Sequence, residues 1–307
     1  MILDVCLPIT VIVPTYNDEG YLSEALTSVL LQSKPPEMLI VVDDGSSTAD
    51  AEKIVTGFKA QNYIHTQIVY LKQSNQGPSA ARNAGLKLAS TPYVAFLDAD
   101  DRMLADNLAT MWQAINGLAD DYFGVYGTYC DIETGKPYPF ADLEGCIAPD
   151  KVGKKGGIAG GVHTYLFRTY HLRNVGGFDE SLVNNEDYDL IIRLLRAGLK
   201  CKGKVTTCFE KRNRMGSLSR PWEPLVAFNN TLRFLQKAEI AGYFSDEELA
   251  SRRRSTQLNY AKLLMKQGKE KEAASIWHEV FKIKPSTVRE FYHWLIYLRL
   301  RLGEKIG

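Results

Sequence analysis

Apolar runs that end in polar stretches alternate with amphipathic segments in the N-terminal third of the chain. The runs at 9–17, "ITVIVPTYN", and at 39–47, "LIVVDDGSS", are rich in β-branched residues, which is typical of strands buried on both faces. Between them, the apolar residues of 21–32 recur at the spacing of a helix. Two more strands are predicted at 67–71 and 93–98.

This alternation of strands and helices predicts an α/β fold with a doubly wound, mostly parallel sheet. A further helix, predicted at 77–89, fits between the third and the fourth strand. In such sheets ligands bind beyond the carboxyl ends of the strands. Polar stretches fall at those ends, at 15–19, 43–46 and 98–101, so we expect them to form one site.

The middle of the chain shows shorter strands and turns from Val125 onward, with a hairpin predicted around 133–136. The glycine-rich stretch 153–161, "GKKGGIAGG", does not match the phosphate-binding pattern G-x-x-x-x-G-K-[ST]. We interpret this stretch as a flexible connecting loop. A mobile active-site loop is the alternative interpretation.

Strand patterns end near Pro221, which predicts one domain at 1–220 and a helical C-terminal region at 221–307. Residues 258–286 resemble a single tetratricopeptide repeat, with Gly268 at the turn between two helices. A single repeat cannot bury its own apolar face. We therefore expect this hairpin to pack on the main domain or on a partner.

The last helical segment, 290–305, carries an apolar stripe at helical spacing, formed by Trp294, Leu295, Leu298 and Leu302. Because arginines lie nearby, the stripe suits a helix that rests on a membrane surface or on a protein partner. The alternative, which we favour, is that the stripe packs against the preceding hairpin.

Composition describes an ordinary globular protein, with 45% hydrophobic residues, 24% charged residues and a net charge of +1. This charge gives no reason to expect nucleic acid as a partner. The five cysteines are never spaced as C-x-x-C, which favours reduced thiols in a cytoplasmic protein. No stretch matches a signal peptide or reaches the ~18 apolar residues of a membrane-spanning helix.

Candidate chemistry concentrates in "FLDADD", which brings Asp98, Asp100 and Asp101 together after the fourth strand. Like charges at this spacing repel one another. A bound divalent cation would offset the repulsion, and two carboxylates leave coordination positions open for substrate phosphates and water. The simpler alternative is that Asp101 or Asp106 caps the following helix.

Two other acidic stretches allow more than one interpretation. Asp43 and Asp44 end the second strand, where a carboxylate can bind a nucleotide, but taken alone a simple turn is favoured. Glu186, Asp187 and Asp189 crowd the first turn of a predicted helix, where the helix dipole favours negative charge. The same helix, buried along its apolar side, would also hold a general base in a fixed position.

The order and spacing of five motifs resemble the inverting glycosyltransferases of family two, whose fold is called GT-A. The resemblance covers roughly residues 8–220. In chain order the motifs are "VIVPTYND", "VVDDGS", "NQGPSAARNAGL", "FLDADD" and "VGGFDESLVNNEDYDLIIRLLRAG".

This resemblance implies roles for particular residues. Asp98 and Asp100 would bind Mn²⁺ or Mg²⁺, Asp98 would also contact the ribose-diphosphate, and Asp187 would be the catalytic base. Contacts to the nucleotide or to the rest of the donor are implied for a set of residues after the first strand, after the second strand and on the helix at 77–89: Pro14, Thr15, Tyr16, Asn17, Glu19, Asp44, Arg82 and Asn83.

One departure from the family pattern lies in "KRNRMGSLS", residues 211–219. Arg212 stands in the family's arginine place, and Arg214 stands where relatives often have histidine. An arginine has no lone pair to offer a metal, so we expect both residues to clamp the leaving diphosphate. The polymer-synthase signature Q-x-x-R-W is absent from the sequence, which favours the transfer of a single sugar.

The resemblance implies transfer of one sugar from a nucleoside-diphosphate sugar to a hydroxyl of a saccharide or glycoconjugate acceptor. Among the nucleotides, the resemblance favours UDP. Such an enzyme of polysaccharide synthesis would be cytoplasmic, or peripheral at the inner face of the membrane. Two alternatives stay open. A sugar nucleotidyltransferase would have a glycine-rich loop in place of "PTYNDEG". A catalytically silent scaffold would have no need of Asp98, Asp100 and Asp187.

Overall fold

The computed structural model divides the chain into two compact units, residues 1–213 and 214–307, and each is described by itself. The predicted domain boundary after residue 220 lies within 214–222, outside the described residues, and so does Arg214. The structure describes residues 6–61, 63, 65–154, 156–213, 223–282, 285 and 288–303, without the side chains of 205, 288, 289 and 299–303.

The first unit contains one sheet with helices in the connections. Its strands are β1 Leu7–Thr15, β2 Pro36–Asp43, β3 Gln67–Lys72, β4 Tyr93–Phe96, β5 Arg102–Met103, β6 Tyr122–Asp131, β7 Pro137–Tyr138, β8 Glu144–Gly145, β9 Tyr165–Arg168 and β10 Lys200–Lys211. Its helices are α1 Glu19–Leu30, α2 Asp50–Ala60, α3 Pro78–Leu88, α4 Asn107–Ile115, α5 Thr169–Asn174 and α6 Glu186–Arg196.

The strands follow the order β3-β2-β1-β4-β9-β6-β10-β5, with β7 beside β6 and β8 beside β10. The first four strands run parallel, as their apolar runs predict. Val11 and Val13 of β1 and Leu39 and Val41 of β2 are fully buried, and Leu26 of α1 joins them in one core cluster. This core fixes the strand ends that carry the polar loops.

The two longest strands, β6 and β10, pair in parallel, although the sequence predicts only short strands after Val125. Strand β10 begins "KCKGK", in which partly or fully exposed lysines alternate with the buried Cys201 and Gly203. Such alternation marks a strand with only one buried face. It lacks the continuous apolar run that reveals β1 and β2.

The middle of the chain confirms the predicted hairpin, because β6 pairs antiparallel with β7. The glycine-rich stretch differs from its prediction as a flexible connecting loop. Ile158 and Ala159 are fully buried, and a Cβ on Gly153 or Gly160 would collide with the ring of Tyr188. The glycines therefore permit close packing of this segment against the start of α6.

The second unit is helical throughout its described part, with α7 Pro224–Ile240, α8 Asp246–Lys266, α9 Glu270–Val280 and α10 Val288–Gly303. Gly268, which has a φ of 75°, lies in the turn between α8 and α9, so the predicted hairpin is present. Its core contains residues of α8, α9 and α10: Leu258, Ala261, Leu264, Ala273, Trp277, Val280 and Tyr297.

Helix α10 packs on the hairpin, as favoured above, but Leu295 of the predicted stripe does not take part. His293 and Tyr297 are buried, whereas Leu295 of the predicted stripe is 48% exposed. Trp294 is partly buried against the hairpin core. None of the helices in the described ranges is long and apolar enough to cross a membrane.

Candidate active site

The loops after β1 and β2 meet at the carboxyl edge of the sheet, as predicted. The backbone N–H of Asn17 donates to Ser46 Oγ at 3.0 Å, and Asn17 Oδ1 accepts from the backbone N–H of Ser47 at 2.9 Å. These bonds hold Asn17 at a φ of 53°, a conformation that few residues other than glycine adopt. Glu19 accepts a hydrogen bond from Thr48, which ties the two loops a second time.

The other predicted residues of the first loop differ in exposure. Thr15 is buried and its hydroxyl has no hydrogen-bond partner among the described residues, while Tyr16 is 48% exposed. Pro14 is partly buried. A buried hydroxyl and an exposed ring beside it offer a polar contact and a stacking surface to a ligand.

Asp44 orders the segment that leads into α3. Its carboxylate accepts hydrogen bonds from Gln73 Nε2 at 2.8 Å, from the backbone N–H of Gln76 at 2.9 Å and from the backbone N–H of Gly77 at 2.7 Å. A carboxylate offers about four acceptor positions, so these three bonds use most of them. Asp44 therefore shapes the loop directly, and its contact to a nucleotide stays a prediction.

Arg82 connects the two acidic motifs. It is buried on α3, and it donates from Nη2 to Asp98 Oδ1 and from Nη1 to Glu186 Oε1, both at 2.8 Å. The same Nη1 lies 3.8 Å from Asp187 Oδ1. Burial disfavours its charge, but Asp98, Asp187 and Glu186 outweigh burial and raise the pKa of Arg82.

Asn83, predicted to face the donor, turns its amide toward the segment before α6. Its Nδ2 donates to the carbonyl of Phe178 at 2.9 Å and to Glu180 at 2.8 Å, and its Oδ1 accepts from the backbone N–H of Phe178. Both ends of the amide are therefore engaged within the protein. The sequence identifies the right helix for Asn83, but the described bonds give it a supporting role.

The three carboxyls of "FLDADD" have different environments. The side chain of Asp98 is 29% exposed; burial opposes its charge, but the guanidinium of Arg82 outweighs burial and holds the pKa of Asp98 below its ordinary range. Asp101 is buried and accepts from the backbone N–H of Arg212 at 2.7 Å. Burial and the charge of Asp98 raise the pKa of Asp101 well above its ordinary value, so the two carboxyls titrate far apart.

The residues at this edge fit a divalent cation. Arg82 uses only Oδ1 of Asp98, which leaves Oδ2 for another partner. Asp101 Oδ2, His163 Nδ1 and Asp187 Oδ1 are buried without a hydrogen-bond partner among the described residues. Within those residues no group of three or more His, Cys, Asp and Glu side chains could hold a metal by itself. Substrate oxygens and water would complete the coordination of an ion at Asp98 and Asp100.

Asp187 lies at the start of α6, which follows Asn185 in a left-handed conformation with a φ of 64°. Its Oδ2 accepts from the backbone N–H of Val162 at 3.2 Å. Burial and the charge of Glu186 raise the pKa of Asp187 to about 7, although Arg82 opposes them. A carboxyl that titrates near neutral pH suits general base catalysis.

Arg212 fastens the "FLDADD" loop to α1. Its Nε donates to the carbonyl of Asp100 at 3.1 Å, its Nη2 donates to Glu24 at 2.8 Å, and its guanidinium lies 4.9 Å from the ring centre of Tyr21. The described contacts thus place Arg212 beside the predicted metal ligands. Its role as a diphosphate clamp stays a prediction, and Arg214 lies outside the described residues.

Two residues of the site were not predicted, His163 and Lys211. Burial lowers the pKa of His163 to about 3, even though Asp98 opposes this. Burial also disfavours the charge of Lys211, but Asp98 and Asp101 outweigh it and raise the pKa of Lys211. Lys211 directly precedes the predicted Arg212, which was a usable signal, whereas His163 follows the segment 153–161 that we interpreted as a connecting loop.

The site is thus an edge of the sheet that carries two acidic motifs joined by Arg82, which is compatible with the predicted class of nucleotide-sugar glycosyltransferases with a GT-A fold. The family model "Glycosyl transferase family 2" matches residues 10–159, so this part of the chain is a domain of that family. The predicted similarity to glycosyltransferases of family two is confirmed for this part of the chain.

Known proteins agree with this assignment. The chain is 39% identical over 137 residues to the glycosyltransferase GlyA of Streptococcus pneumoniae, an alignment that covers 45% of this chain and 18% of GlyA. It is 29% identical to the Escherichia coli enzyme WfgD, named UDP-Glc:alpha-D-GlcNAc-diphosphoundecaprenol beta-1,3-glucosyltransferase, over 72% of this chain and 86% of WfgD. The chain spans less than half the length of the first curated relatives it matches.

The fold is shared with the mannosyltransferase PcManGT from Pyrobaculum calidifontis, whose structure is a complex with GDP-Man and Mn²⁺. The TM-score is 0.58 at 17% identity, and the match covers 96% of this chain and 80% of PcManGT. At this identity the likeness concerns the fold alone. The predicted GT-A fold class is confirmed.

Proposed function

We propose that this chain transfers one sugar from a nucleoside-diphosphate sugar, a UDP-sugar in the first instance, to an acceptor hydroxyl with inversion of the anomeric carbon. The observation that carries the proposal is the buried link from Asp98 through Arg82 to the first turn of α6, where Asp187 has a pKa of about 7. This link supports the proposal, because Asp98, which would bind the metal, and Asp187, which would act as the general base, both lie near Arg82.

Asp187 would accept the proton of the acceptor hydroxyl as its oxygen attacks the anomeric carbon. Its Oδ1 is free of hydrogen bonds from the described residues, and the bond from Val162 to Oδ2 fixes the carboxylate in place. One displacement inverts the anomeric centre, so no second carboxylate is needed as a nucleophile.

A divalent cation, Mn²⁺ or Mg²⁺, would supply positive charge to the leaving diphosphate. Asp98 Oδ2 and Asp100 would hold it, while Arg82 keeps Asp98 ionised and oriented. Arg212 and Arg214 would stabilise the diphosphate with their positive charges. The Mn²⁺ in the PcManGT complex supports this choice of cofactor.

The nucleotide would bind along the loops after β1 and β2, with Tyr16 and Asp44 closest to the base and ribose. The reaction in the name of the relative WfgD supports UDP as the nucleotide and a lipid-linked saccharide as the acceptor class. The proposed process is polysaccharide or glycoconjugate synthesis in the cytoplasm.

Phe291, Tyr292 and Leu295 are exposed on α10 and would supply a peripheral contact to a membrane or to another protein.

A donor screen tests this function. Wild-type protein is heated with UDP-, GDP- and dTDP-sugars, each with and without Mn²⁺, because a ligand that binds only the folded state raises the melting temperature. Release of nucleoside diphosphate is then measured for each donor that stabilises the protein. We expect at least one UDP-sugar to stabilise the protein with Mn²⁺ and to release UDP. Stabilisation by none of these donors would contradict the proposal.

A further inference from the structure

His163 stands at the end of the glycine-rich segment, just before β9, and its side chain is 8% exposed. Its ring packs edge-on against Phe209, with ring centres 4.6 Å apart, and also contacts Tyr129. A Cβ on Gly161 would lie within 2.8 Å of the Nε2 of this ring. The imidazole is therefore held in one orientation from both sides.

The Nδ1 atom of His163 is buried and has no hydrogen-bond partner among the described residues. A buried polar atom without a partner is costly and uncommon, and it calls for an explanation such as an ion or a ligand. Asp98 Oδ2 lies 3.9 Å from this Nδ1 atom. This oxygen is the one that Arg82 does not bind, because Arg82 donates to Oδ1.

We propose that His163 Nδ1 and Asp98 Oδ2 are neighbouring protein ligands of the divalent cation that the donor diphosphate completes. This inference rests on the proposed function. In an octahedral site with bonds of about 2.1 Å, neighbouring ligand atoms lie about 3 Å apart. The observed distance of 3.9 Å between the two atoms would therefore have to shorten by about 1 Å when the cation binds.

A nitrogen ligand changes which metal the site prefers. Mg²⁺ is bound almost entirely by oxygen, whereas imidazole is a better ligand for transition metals. With one carboxylate oxygen and one imidazole nitrogen, the site is expected to favour Mn²⁺ over Mg²⁺. A site made only of Asp98 and Asp100 would show a much weaker preference.

Pulsed electron paramagnetic resonance of Mn²⁺ tests the assignment, because it detects ¹⁴N atoms that are bonded directly to the metal. The full chain is loaded with Mn²⁺ and UDP, and the wild type is compared with His163→Phe, which keeps an aromatic ring beside Phe209. The matched control is His171→Phe, since His171 is also buried but bonds to the carbonyl of Asp120. The same samples give the affinity for Mn²⁺ from the signal of the free ion.

We expect a nitrogen coupling in the wild type and in His171→Phe, and none in His163→Phe, whose affinity for Mn²⁺ falls at least about tenfold while its affinity for Mg²⁺ falls less. Bound Mn²⁺ without nitrogen coupling in the wild type overturns the assignment of His163 and leaves the proposed function standing. This wild-type spectrum decides the matter even if His163→Phe does not fold. Absence of any Mn²⁺ binding with UDP overturns both this inference and the proposed metal site.

Discussion

At the scale of single residues, one buried cation explains how the acidic motifs coexist. Arg82 contacts Asp98 and Glu186 directly and lies near Asp187. Asp98, which receives a full hydrogen bond, has a lowered pKa, whereas Asp187 has a pKa of about 7 because it is buried next to Glu186. The carboxylate that we propose as the metal ligand thus stays charged, while the carboxylate that we propose as the base lies close to its titration point.

Replacement of Asp187 by asparagine tests the general base. Asp187→Asn keeps the size of the side chain and removes only the proton acceptor, so turnover is expected to fall by about 10² to 10⁴. Donor affinity is expected to stay unchanged, because Asp98 and Asp100 are intact. Stability is expected to be similar to that of the wild type at low pH and higher than that of the wild type above about pH 7, because burial opposes the charge of this carboxylate.

Glu186→Gln is the control for this change, because it removes a neighbouring charge and leaves Asp187 in place. Turnover, donor affinity and melting temperature are measured for both variants. If Asp187→Asn keeps more than about a tenth of the wild-type turnover, the base is another residue, and Glu186 or Asp189 becomes the next to replace.

Because the pKa of Asp187 is raised, we expect turnover and stability to change in opposite directions as pH rises. Turnover is expected to rise with pH through about 7, because the base must be ionised to accept a proton. Folding of the protein raises the pKa of this carboxyl from the ordinary 3.8 to about 7, so its contribution to stability is fully present below the lower value and is lost as pH rises from there to about 7. Rate profiles, and denaturation of the wild type and Asp187→Asn from about pH 3 to 9, measure both trends. A turnover that is constant across pH 7 would refute the assignment.

At the scale of elements, α10 separates a packing face from an exposed face within a few residues. Tyr297 is buried in the hairpin core and its hydroxyl lies 2.8 Å from His278 Nδ1. Tyr297→Ala is therefore expected to destabilise the second unit by about 3 kcal/mol. Leu295→Ala, on the exposed face, is expected to change stability by less than about 0.5 kcal/mol. Denaturation curves of the two variants provide the comparison, and equal losses would show that the face is assigned wrongly.

The elements that could be predicted are those in which the pattern of apolar and polar residues matches the burial of the side chains. Strands β1, β2 and β4 are apolar runs because both of their faces are covered, and the edge strand β3 is apolar although only partly buried. "FLDADD" and Asp187 follow from local motifs. Strand β10 was missed because lysines alternate with small buried residues along its first half. Tertiary packing, not local preference, decides its state.

Contacts between distant segments could not be predicted from the sequence. Arg82 and Glu186 are separated by 104 positions, and Asn83 and Phe178 by 95. A motif can mark such residues as part of a site, but only the packing of α3 against the start of α6 shows that they bind each other. The position of His163 beside Asp98 depends in the same way on the buried glycine segment.

At the scale of the whole molecule, the described site residues lie within residues 1–213, and metal and donor are expected to bind there as linked ligands. Linkage requires that Mn²⁺ raises the affinity for the nucleotide by the same factor by which the nucleotide raises the affinity for Mn²⁺. Because the proposed cation bridges protein and diphosphate, this factor depends on the carboxylates that hold the cation. The linkage therefore reports on the metal site without a known acceptor.

Asp100→Asn is expected to weaken this linkage while the fold survives, because the change keeps the size of the side chain and removes one negative charge from the cation. Calorimetric titration of UDP, with and without Mn²⁺, measures the factor in each variant. Asp106→Asn is the matched control, since Asp106 is an exposed aspartate before α4 whose side chain makes no capping hydrogen bond. We expect the gain in UDP affinity from Mn²⁺ to drop at least about tenfold in Asp100→Asn and to persist in Asp106→Asn. Equal UDP binding with and without Mn²⁺ in the wild type would remove the metal from the proposed mechanism. Positively charged side chains of the protein would then have to neutralise the diphosphate. Lys211 and Arg212 lie beside the "FLDADD" loop and carry such charges.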